Sequence, residues 1–353
     1  MDFLMKLASI FAVLFSIFSS IFGLNRTGYA PIDADNLKMS AVLISDTHID
    51  TKTTAEQTNL ERGLKDIAAS KVAANVLMIN GDLTNNGLTE QYDALFTAIN
   101  KKAPAKKVIA VLGNHDCWSQ NYFNNFKTKY NLSTLSNITN PYYKYSVNGY
   151  TFFALGSEKG YQDSTAYQNS AYLSDEQLNW LDEQLAATFL TSDKPVFVMC
   201  HQPINGTNRQ TEAWALGGLG DQSTALLNIL KKYADQNHTV ILSSGHLHNS
   251  LGYSGVTNQG NLYFVDVPSF GVTPERGDNR TVGTGYVVEC YAGKVVLRAR
   301  DFVSSEFYDK YVYTINTTEK VTPVEPTTGT PEVTTQPEVT TKPESSTTPC
   351  IYD

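Results

Sequence analysis

The chain has 353 residues, of which 41% are hydrophobic and 11% aromatic, and this is enough apolar material for one large core or two smaller ones. Such a composition excludes disorder of the whole chain. The formal net charge is −8 at pH 7, so the chain lacks the positive charge typical of nucleic-acid-binding proteins, and we expect no specific binding of nucleic acid.

The amino-terminal residues contain a continuous apolar run that extends from Leu7 to Leu24. The run is long for the core of a signal peptide and just long enough to span a bilayer. Gly28, Tyr29 and Ala30 then provide a small-x-small cleavage site, and we favour cleavage over retention. Residues 1–30 are therefore predicted to be a signal peptide or a membrane anchor, and the protein is predicted to be extracellular or at the cell surface.

The alternation of strand-like and helix-like patterns between residues 37 and 313 predicts an α/β domain. Runs rich in Val and Ile occupy residues 39–45, 76–80, 107–112, 195–200 and 239–244. Amphipathic stretches separate several of them, near residues 54–70, 88–102, 174–187 and 221–236. Ser174 and Gln177 are placed as a capping box at the start of the third stretch.

Strand-like segments follow one another directly in two places, at residues 143–155 and 261–302. Hairpin-like breaks occur within them at Asn148-Gly149 and Ala292-Gly293. We therefore predict two sheets flanked by helices.

The carboxyl-terminal composition changes abruptly near Thr318, and residues 330–347 consist of the hexamers TPEVTT, QPEVTT and KPESST. Regular proline disfavours helix, and threonine and glutamate leave little to bury. Residues 318–353 are therefore predicted to be a disordered spacer tail rich in threonine, proline and glutamate. Together with the apolar run, the tail suggests tethering to a membrane or cell envelope through the termini.

Each of the five Val/Ile runs ends in polar residues that can bind metal ions. These segments are SDTH at 45–48, NGD at 80–82, GNHD at 113–116, HQP at 201–203 and GHLH at 245–248. They contain five of the six histidines, and only His238 lies elsewhere. Because α/β sheets place their sites at strand ends, this clustering indicates one functional site.

The spacing of these residues suits metal binding. Residues i and i+2 of an extended backbone point the same way, so Asp46 with His48, and His246 with His248, can each supply two ligands. The two oxygens of Asp82 can bridge two ions. Mixed carboxylate and imidazole ligands favour zinc, manganese or iron. The four cysteines match no zinc spacing. We expect buried free thiols by default, and pairing of some of them in an exported protein is the alternative.

The series of motifs resembles the motif set of the calcineurin-like metallophosphoesterases. The residues that carry the resemblance are Asp46, His48, Gly81, Asp82, Gly113, Asn114, His115, Asp116, His201, Gly245, His246 and His248. The resemblance implies a four-layer α/β/β/α sandwich of two mixed sheets flanked by helices, with residues 37–313 as the catalytic domain. It also implies a two-metal site where the strands of both sheets end.

The resemblance further implies the metal ligands. One ion would be bound by Asp46, His48, Asp82 and His248. The second would be bound by Asp82, Asn114, His201 and His246, so that Asp82 bridges the two. The expected cofactors are two divalent or trivalent ions of manganese, iron or zinc. A hydroxide that bridges them would attack the phosphorus of the substrate.

Two further motif residues are candidates for catalysis. In the family the histidine at the position of His115 is not a ligand, and it would donate a hydrogen bond or proton to the phosphoryl or leaving-group oxygen. Asp116 either supports the charge of His115 or is a turn-forming carboxylate.

The resemblance indicates the type of reaction more clearly than the identity of the substrate. Purple acid phosphatases carry a tyrosine three residues after the bridging aspartate, where this chain has Asn85, so that branch is disfavoured. The stretch GDLTNNGLTEQY at 81–92 is similar to class III cyclic-nucleotide phosphodiesterases and glycerophosphodiester hydrolases. In the segment 201–221, Arg209 and Trp214 are candidates for substrate binding, and Trp214 either stacks on substrate or pins the loop.

We therefore predict an exported, metal-dependent phosphohydrolase whose partner is a small phosphoester, with a phosphodiester favoured because few basic residues surround the motifs. One alternative is a surface binding or adhesion protein with a structural metal site. The other is a phosphomonoesterase of the same fold.

Overall fold

Two six-stranded sheets form the middle of the fold in the computed structural model, which describes residues 28–208, 218–220 and 222–317. In chain order the elements are β1 (Met39–Ile44), α1 (Ala55–Ala69), β2 (Ala74–Asn80), α2 (Thr89–Lys102), β3 (Ala105–Val111), α3 (Tyr122–Thr134), β4 (Tyr142–Val147), β5 (Tyr150–Leu155), α4 (Asp175–Phe189), β6 (Val196–Cys200), α5 (Gln222–Ala234), β7 (Val240–Ser244), β8 (Val256–Gln259), β9 (Leu262–Asp266), β10 (Thr284–Tyr291), β11 (Lys294–Asp301) and β12 (Glu306–Asn316). Short 3₁₀ turns occupy His115–Trp118 and Thr165–Tyr167.

Both sheets are mixed, as predicted. The first has the strand order β12-β11-β10-β1-β2-β3, and the second has the order β4-β5-β6-β7-β9-β8. Parallel pairing joins β1, β2 and β3 in the first sheet and β5, β6, β7 and β9 in the second. The carboxyl ends of the central strands therefore lie along one edge of each sheet.

Alternate residues of the second sheet face two different cores. Phe152 belongs to the larger apolar cluster, which also contains the strands of the first sheet, whereas Phe153 belongs to a smaller cluster with α4 and α5. Helices also cover the first sheet, since the Tyr130 hydroxyl of α3 donates to the Val108 carbonyl of β3 at 2.8 Å. The layers are thus helix, sheet, sheet and helix, which confirms the predicted fold class.

All five Val/Ile runs form strands, and all four amphipathic stretches form helices. Both hairpins are also present, because Val147 pairs with Tyr150 and Tyr291 pairs with Lys294. Helix α3 was not predicted: its sequence YFNNFKTKYNLST is rich in Asn and Thr, and it buries only Phe126 and Tyr130.

The predicted capping box at the start of α4 forms only in part. The Ser174 hydroxyl accepts from the Gln177 backbone N–H at 3.1 Å, as expected. The Ser174 backbone N–H does not donate to the Gln177 side chain but donates to the Glu158 carboxylate at 2.7 Å. Glu158 takes this place because the loop after β5 brings its carboxylate onto the helix end, where negative charge is favourable.

The segment before β1 is attached to the first sheet. The Gly28 N–H donates to the Ala69 carbonyl at 2.9 Å, and the Tyr29 ring packs edge-on against Phe307 with centroids 5.6 Å apart. Arg298 donates to the Ala30 carbonyl at 3.0 Å. The predicted cleavage site at Ala30 therefore lies within residues that contact the folded body.

Several sequence predictions fall outside the described residues, namely the apolar run, the spacer tail, Arg209 and Trp214. Among the helices within residues 28–317 that are described, none has the length and apolar character needed to cross a membrane. Cys117 and Cys200 are buried free thiols, as predicted, and Cys290 is also buried.

Candidate active site

The five polar segments meet where the central strands of both sheets end. Asp46, Asp82 and Asn114 follow β1, β2 and β3 of the first sheet, and His201 and His246 follow β6 and β7 of the second. Neighbouring parallel strands bring their carboxyl ends to the same edge, and packing of the two sheets brings the two edges together.

The candidate ligands form two overlapping groups. The ligand atoms of Asp46, His48, Asp82 and His248 lie within 4.8 Å of one another, and so do those of Asp82, His201 and His246. Asp82 belongs to both groups, and its Oδ2 lies 3.5 Å from His48 Nε2 and 3.2 Å from His201 Nε2. The structure thus brings six of the seven predicted ligands together in two overlapping groups.

The backbone at these positions differs from our expectation. We predicted extended backbone for the two i, i+2 pairs, but φ is 55° at Asp46, 44° at His48, 70° at His246 and 45° at His248. This left-handed conformation costs energy for residues with a Cβ. It is held by the neighbouring loop, since the Asp46 and His48 N–H groups donate to the carbonyls of Gly81 and Asp82 at 3.0 and 2.9 Å.

Glycine is required at two positions beneath the site. Gly81 has a φ of +90°, and a Cβ there would collide with the His201 ring. A Cβ at Gly113 would collide with the Asp82 carboxylate. The lack of a side chain at both positions lets the backbone approach the candidate ligands closely.

The chemistry of these residues fits metal ions. Asp46 Oδ2 and Asn114 Oδ1 are buried and have no hydrogen-bond partner among the described residues. His48 Nε2 and His248 Nε2 lie 3.1 Å apart. A cation beside the two unpaired oxygens of Asp46 and Asn114 would satisfy them, and burial without one would be costly. His201 Nδ1 lies 2.8 Å from the Asn80 carbonyl, and donation to that oxygen directs Nε2 towards Asp82.

The protonation states of most candidate ligands also suit a cation. Burial would raise the pKa of Asp46, but the hydrogen bond from His248 and the charge of His201 hold it at about 2. Burial lowers the pKa of His48 to about 4 and that of His246 to about 3. Burial would also lower the pKa of His201, but the Asp82 carboxylate raises it to about 9. Charged Asp46 beside neutral His48 and His246 is the combination that binds metals, whereas His201 would have to release its proton when an ion binds.

His115 lies beside these groups without belonging to either. Its backbone N–H donates to Asp82 Oδ1 at 2.9 Å, and its Nδ1 lies 3.1 Å from the Asn85 carbonyl. Donation from Nδ1 to that carbonyl leaves Nε2 as the nitrogen available to a substrate.

Asp116 is buried, and its contacts do not support the charge of His115. Its carboxylate accepts five hydrogen bonds, from the backbone N–H groups of Leu83, Thr84 and Gly113 and from the hydroxyls of Thr84 and Tyr92. Burial raises its pKa to about 6, and the charge of Asp82 acts in the same direction. These contacts favour the turn-forming alternative over support of the His115 charge.

An open cavity of about 190 Å³ lies above the candidate ligands. Its described lining consists of Asp82, Asn114, His115, Asn169, His246, Leu247, His248 and Glu275. Asn169 and Glu275 were not identified from the sequence, because neither lies in a motif or near one along the chain. Glu275 reaches the site through the backbone, where its N–H donates to the His248 carbonyl at 2.9 Å.

Comparison with known proteins gives matches to a family model and to curated relatives. The family model described as calcineurin-like phosphoesterase matches residues 39–250. A probable cyclic nucleotide phosphodiesterase of Ruthia magnifica is 27% identical over 218 residues, which cover 61% of this chain and 80% of that protein. A protein of the same name from Vesicomyosocius okutanii is 26% identical over 220 residues, with the same coverage.

Solved structures give weaker likenesses. A conserved uncharacterised protein of Streptococcus pneumoniae, a predicted phosphoesterase, has a TM-score of 0.38 and 12% identity, over 79% of this chain and 97% of that chain. Vps29 of Entamoeba histolytica, complexed with Zn²⁺, has a TM-score of 0.33 and 13% identity, over 79% and 99%. No inference about activity follows from likeness at this level.

The family model covers more than half of the chain and contains every motif residue from Asp46 to His248. This match confirms the resemblance. The chain therefore belongs to the calcineurin-like phosphoesterase family.

Proposed function

We propose that this phosphoesterase is a metal-dependent phosphodiesterase that works outside the cytoplasm. Asp46, His48, Asp82 and His248 would hold one ion, and Asp82, Asn114, His201 and His246 would hold the other. Manganese, iron or zinc fits this mixture of oxygen and imidazole ligands. When bound, such ions supply Lewis-acid activation of water and of a phosphoryl oxygen.

His115 would act as proton or hydrogen-bond donor to the substrate. It lines the cavity, and its Nδ1 is engaged by the Asn85 carbonyl at 3.1 Å, so a proton on Nε2 is the one it can offer. Asn85 is itself held by Asp50, whose carboxylate accepts from the Asn85 side chain at 3.3 Å. The donor is thus fixed in orientation before substrate arrives.

The charge of the cavity is the observation that carries the preference for a diester. No lysine or arginine is among the described residues that line it, and Glu275 adds a carboxylate. A monoester near neutral pH carries about two negative charges, whereas a diester carries one. The second charge would lack a basic partner and would be repelled by Glu275. The two curated relatives, both probable cyclic nucleotide phosphodiesterases, agree with this preference.

Matched nitrophenyl esters test the proposal. The purified protein, loaded with manganese or zinc, should cleave a nitrophenyl phosphodiester with a kcat/KM at least about tenfold above that for nitrophenyl phosphate. A monoester advantage of that size would instead identify a phosphomonoesterase. The absence of turnover with every divalent metal tested would favour a binding protein with a structural metal site.

Glu275→Gln tests the charge argument directly. Removal of one exposed carboxylate should raise kcat/KM for the monoester by about two- to fivefold and leave the diester nearly unchanged. Glu306→Gln, at the exposed start of β12, is the matched control and should change neither. Equal changes for both esters in the Glu275 variant would show that its charge does not discriminate between them.

The location outside the cytoplasm rests on the apolar run from Leu7 to Leu24 and on the spacer tail. Cell fractionation should find the protein outside the cytoplasm, and mass spectrometry of its amino terminus would distinguish a cleaved signal from a retained anchor. A cytoplasmic protein that begins at Met1 would contradict the proposal.

A further inference from the structure

The imidazole of His115 is held between two other rings. The indole of Trp118 lies against it at a tilt, with centroids 3.9 Å apart and an interplanar angle of 31°. The ring of His48 meets it edge-on, with centroids 4.7 Å apart. Contacts with these two rings restrict rotation of the His115 side chain.

Trp118 is itself anchored by a hydrogen bond. Its Nε1 donates to the Gln168 carbonyl at 2.9 Å. The Asn114 side-chain amide donates to the same carbonyl at 3.2 Å. One backbone oxygen thus orients both the indole that covers His115 and a candidate metal ligand.

The loop that carries Gln168 is docked on the 3₁₀ turn His115–Trp118. The Tyr161 N–H donates to the Cys117 carbonyl at 3.2 Å, and the Gln162 side chain donates to the Trp118 carbonyl at 3.1 Å. A Cβ at Gly160 would collide with the Cys117 carbonyl, so the close approach of the loop requires glycine there. The turn and the loop therefore support each other.

We infer that Trp118 is a positioning residue for His115, and this inference rests on the proposed role of His115 as donor. The indole ring holds the imidazole in the orientation that presents Nε2 to the cavity. The Gln168 carbonyl holds the indole. The contribution of Trp118 to turnover should therefore pass through His115 and be greatest where donation matters most, which is with poor leaving groups.

The ring contact can be measured without activity. In protein with ¹³C-labelled histidine, the His115 ring protons should resonate upfield because the indole face lies over them, and the His115→Ala variant identifies their signal. Trp118→Ala should shift that signal downfield by about 0.3 ppm or more, by the geometry of stacked rings. The signal of the distant His238 should not move. An unchanged His115 signal in Trp118→Ala would overturn the inference.

Kinetics then separate positioning from general support of the fold. Trp118→Ala should lower kcat by about tenfold for a diester with a poor leaving group and by less than about threefold for a nitrophenyl leaving group. Trp118→Phe keeps a ring but loses the hydrogen bond to Gln168, and it should fall between wild type and Trp118→Ala. Trp180→Phe is the matched control, because Trp180 packs against Tyr142 in the smaller apolar cluster. It should leave the dependence of kcat on the leaving group unchanged.

A double-mutant cycle decides whether Trp118 acts through His115. In the His115→Ala background, Trp118→Ala should cost less than about twofold in kcat. An equal loss in both backgrounds, or an equal loss for all leaving groups, would show a structural role and overturn the inference. If the loss of kcat in His115→Ala did not depend on the leaving group, the proposed donor role of His115 would be refuted instead. The resonance shift would still report whether Trp118 orients the His115 ring.

Discussion

One oxygen of Asp82 lies close to both ligand groups, which places this residue at the centre of the site. Oδ1 accepts from the His115 N–H at 2.9 Å, and Oδ2 lies 3.2 Å from His201 Nε2 and 3.5 Å from His48 Nε2. Substitution by alanine removes a ligand from both candidate metal positions at once. We therefore expect Asp82→Ala to lose both ions and all measurable turnover, as checked by elemental analysis of the purified variant.

His246→Ala provides the control for this prediction. His246 belongs to one of the two ligand groups, so its loss should weaken one ion and leave the other in place. An Asp82→Ala protein that retained two ions would contradict the bridging role.

Asp266, at the end of β9, links the candidate site to the pH dependence of stability. It is buried, and it accepts a hydrogen bond from the Asn249 side chain at 2.9 Å. Asn249 follows His248 directly in the chain. Burial raises its pKa to about 7, although hydrogen bonds from Ser254 and Asn249 lower it. The folded protein therefore binds this proton more tightly than the unfolded chain does, and the free energy of unfolding falls as pH rises from about 4 to about 7.

The Asp266→Asn variant should lose the part of the pH dependence of stability that comes from this carboxyl group. The wild-type protein should lose up to about 4 kcal/mol more than the variant in free energy of unfolding between pH 4 and pH 8, since one pKa unit corresponds to about 1.4 kcal/mol. Urea unfolding at several pH values measures the difference. Asp193→Asn, at an exposed position, should keep the wild-type dependence of stability on pH. If Asp266→Asn also kept that dependence, the raised pKa of Asp266 would be disproved.

The sequence identified the site residues that follow strands, because metal chemistry needs particular residue types and the strand pattern marks where they lie. It did not identify Trp118 or Glu275, since their contacts with the site depend on loops whose path the sequence pattern does not reveal. The role of Asp116 also required the structure. Only the folded loop shows that its carboxylate accepts from three backbone N–H groups.

At the scale of elements, prediction succeeded where apolar periodicity is strong. Helix α1 buries Leu60, Leu64 and Ile67 on one face, a spacing visible in the sequence. Helix α3 buries only Phe126 and Tyr130, and its many Asn and Thr residues make that face hard to recognise in the sequence. The left-handed backbone at the strand ends was also not predicted, because it arises from hydrogen bonds between loops rather than from the residues themselves.

The segment before β1 provides a prediction at this scale. Tyr29 packs against Phe307, and the Arg300 guanidinium lies 4.4 Å from the centre of its ring. Arg300 in turn forms a buried ion pair with Asp66 of α1, with Nε to Oδ2 at 2.7 Å. Tyr29→Ala should therefore lower the free energy of unfolding by about 2 kcal/mol and the melting temperature by about 4–8 °C.

Ile32→Ala is the control for Tyr29→Ala, because Ile32 lies in the same segment and is 60% exposed. It should change the melting temperature by about 1 °C or less. If the two variants melted together, the segment would not be a structural part of the domain, and cleavage after Ala30 would then carry no cost in stability.

At the scale of the whole molecule, the candidate ligands connect the two sheets. Asp46 and Asp82 follow strands of the first sheet, while His201, His246 and His248 follow strands of the second. This division could be foreseen only in part: the sequence predicted two sheets, but not which strands belong to each or that β10 to β12 return to the edge of β1. The strand order depends on long-range pairing, such as that of Met39 with Cys290, which leaves no local signal.

Metal ions bound between residues of both sheets should therefore stabilise the entire fold. Their removal leaves the Asp46 and Asp82 carboxylates buried near each other without a cation, and it also removes the binding free energy. At a free metal concentration of 100 times the dissociation constant, that binding energy is about 2.7 kcal/mol per ion. We expect a chelator to lower the melting temperature by about 5 °C or more, and manganese or zinc to restore it. The Asp82→Ala protein should melt at the same temperature with and without chelator, because it no longer binds the ions. A wild-type melting temperature that did not respond to chelator, in protein shown by elemental analysis to have lost its metals, would mean that the two sheet edges are held together without them.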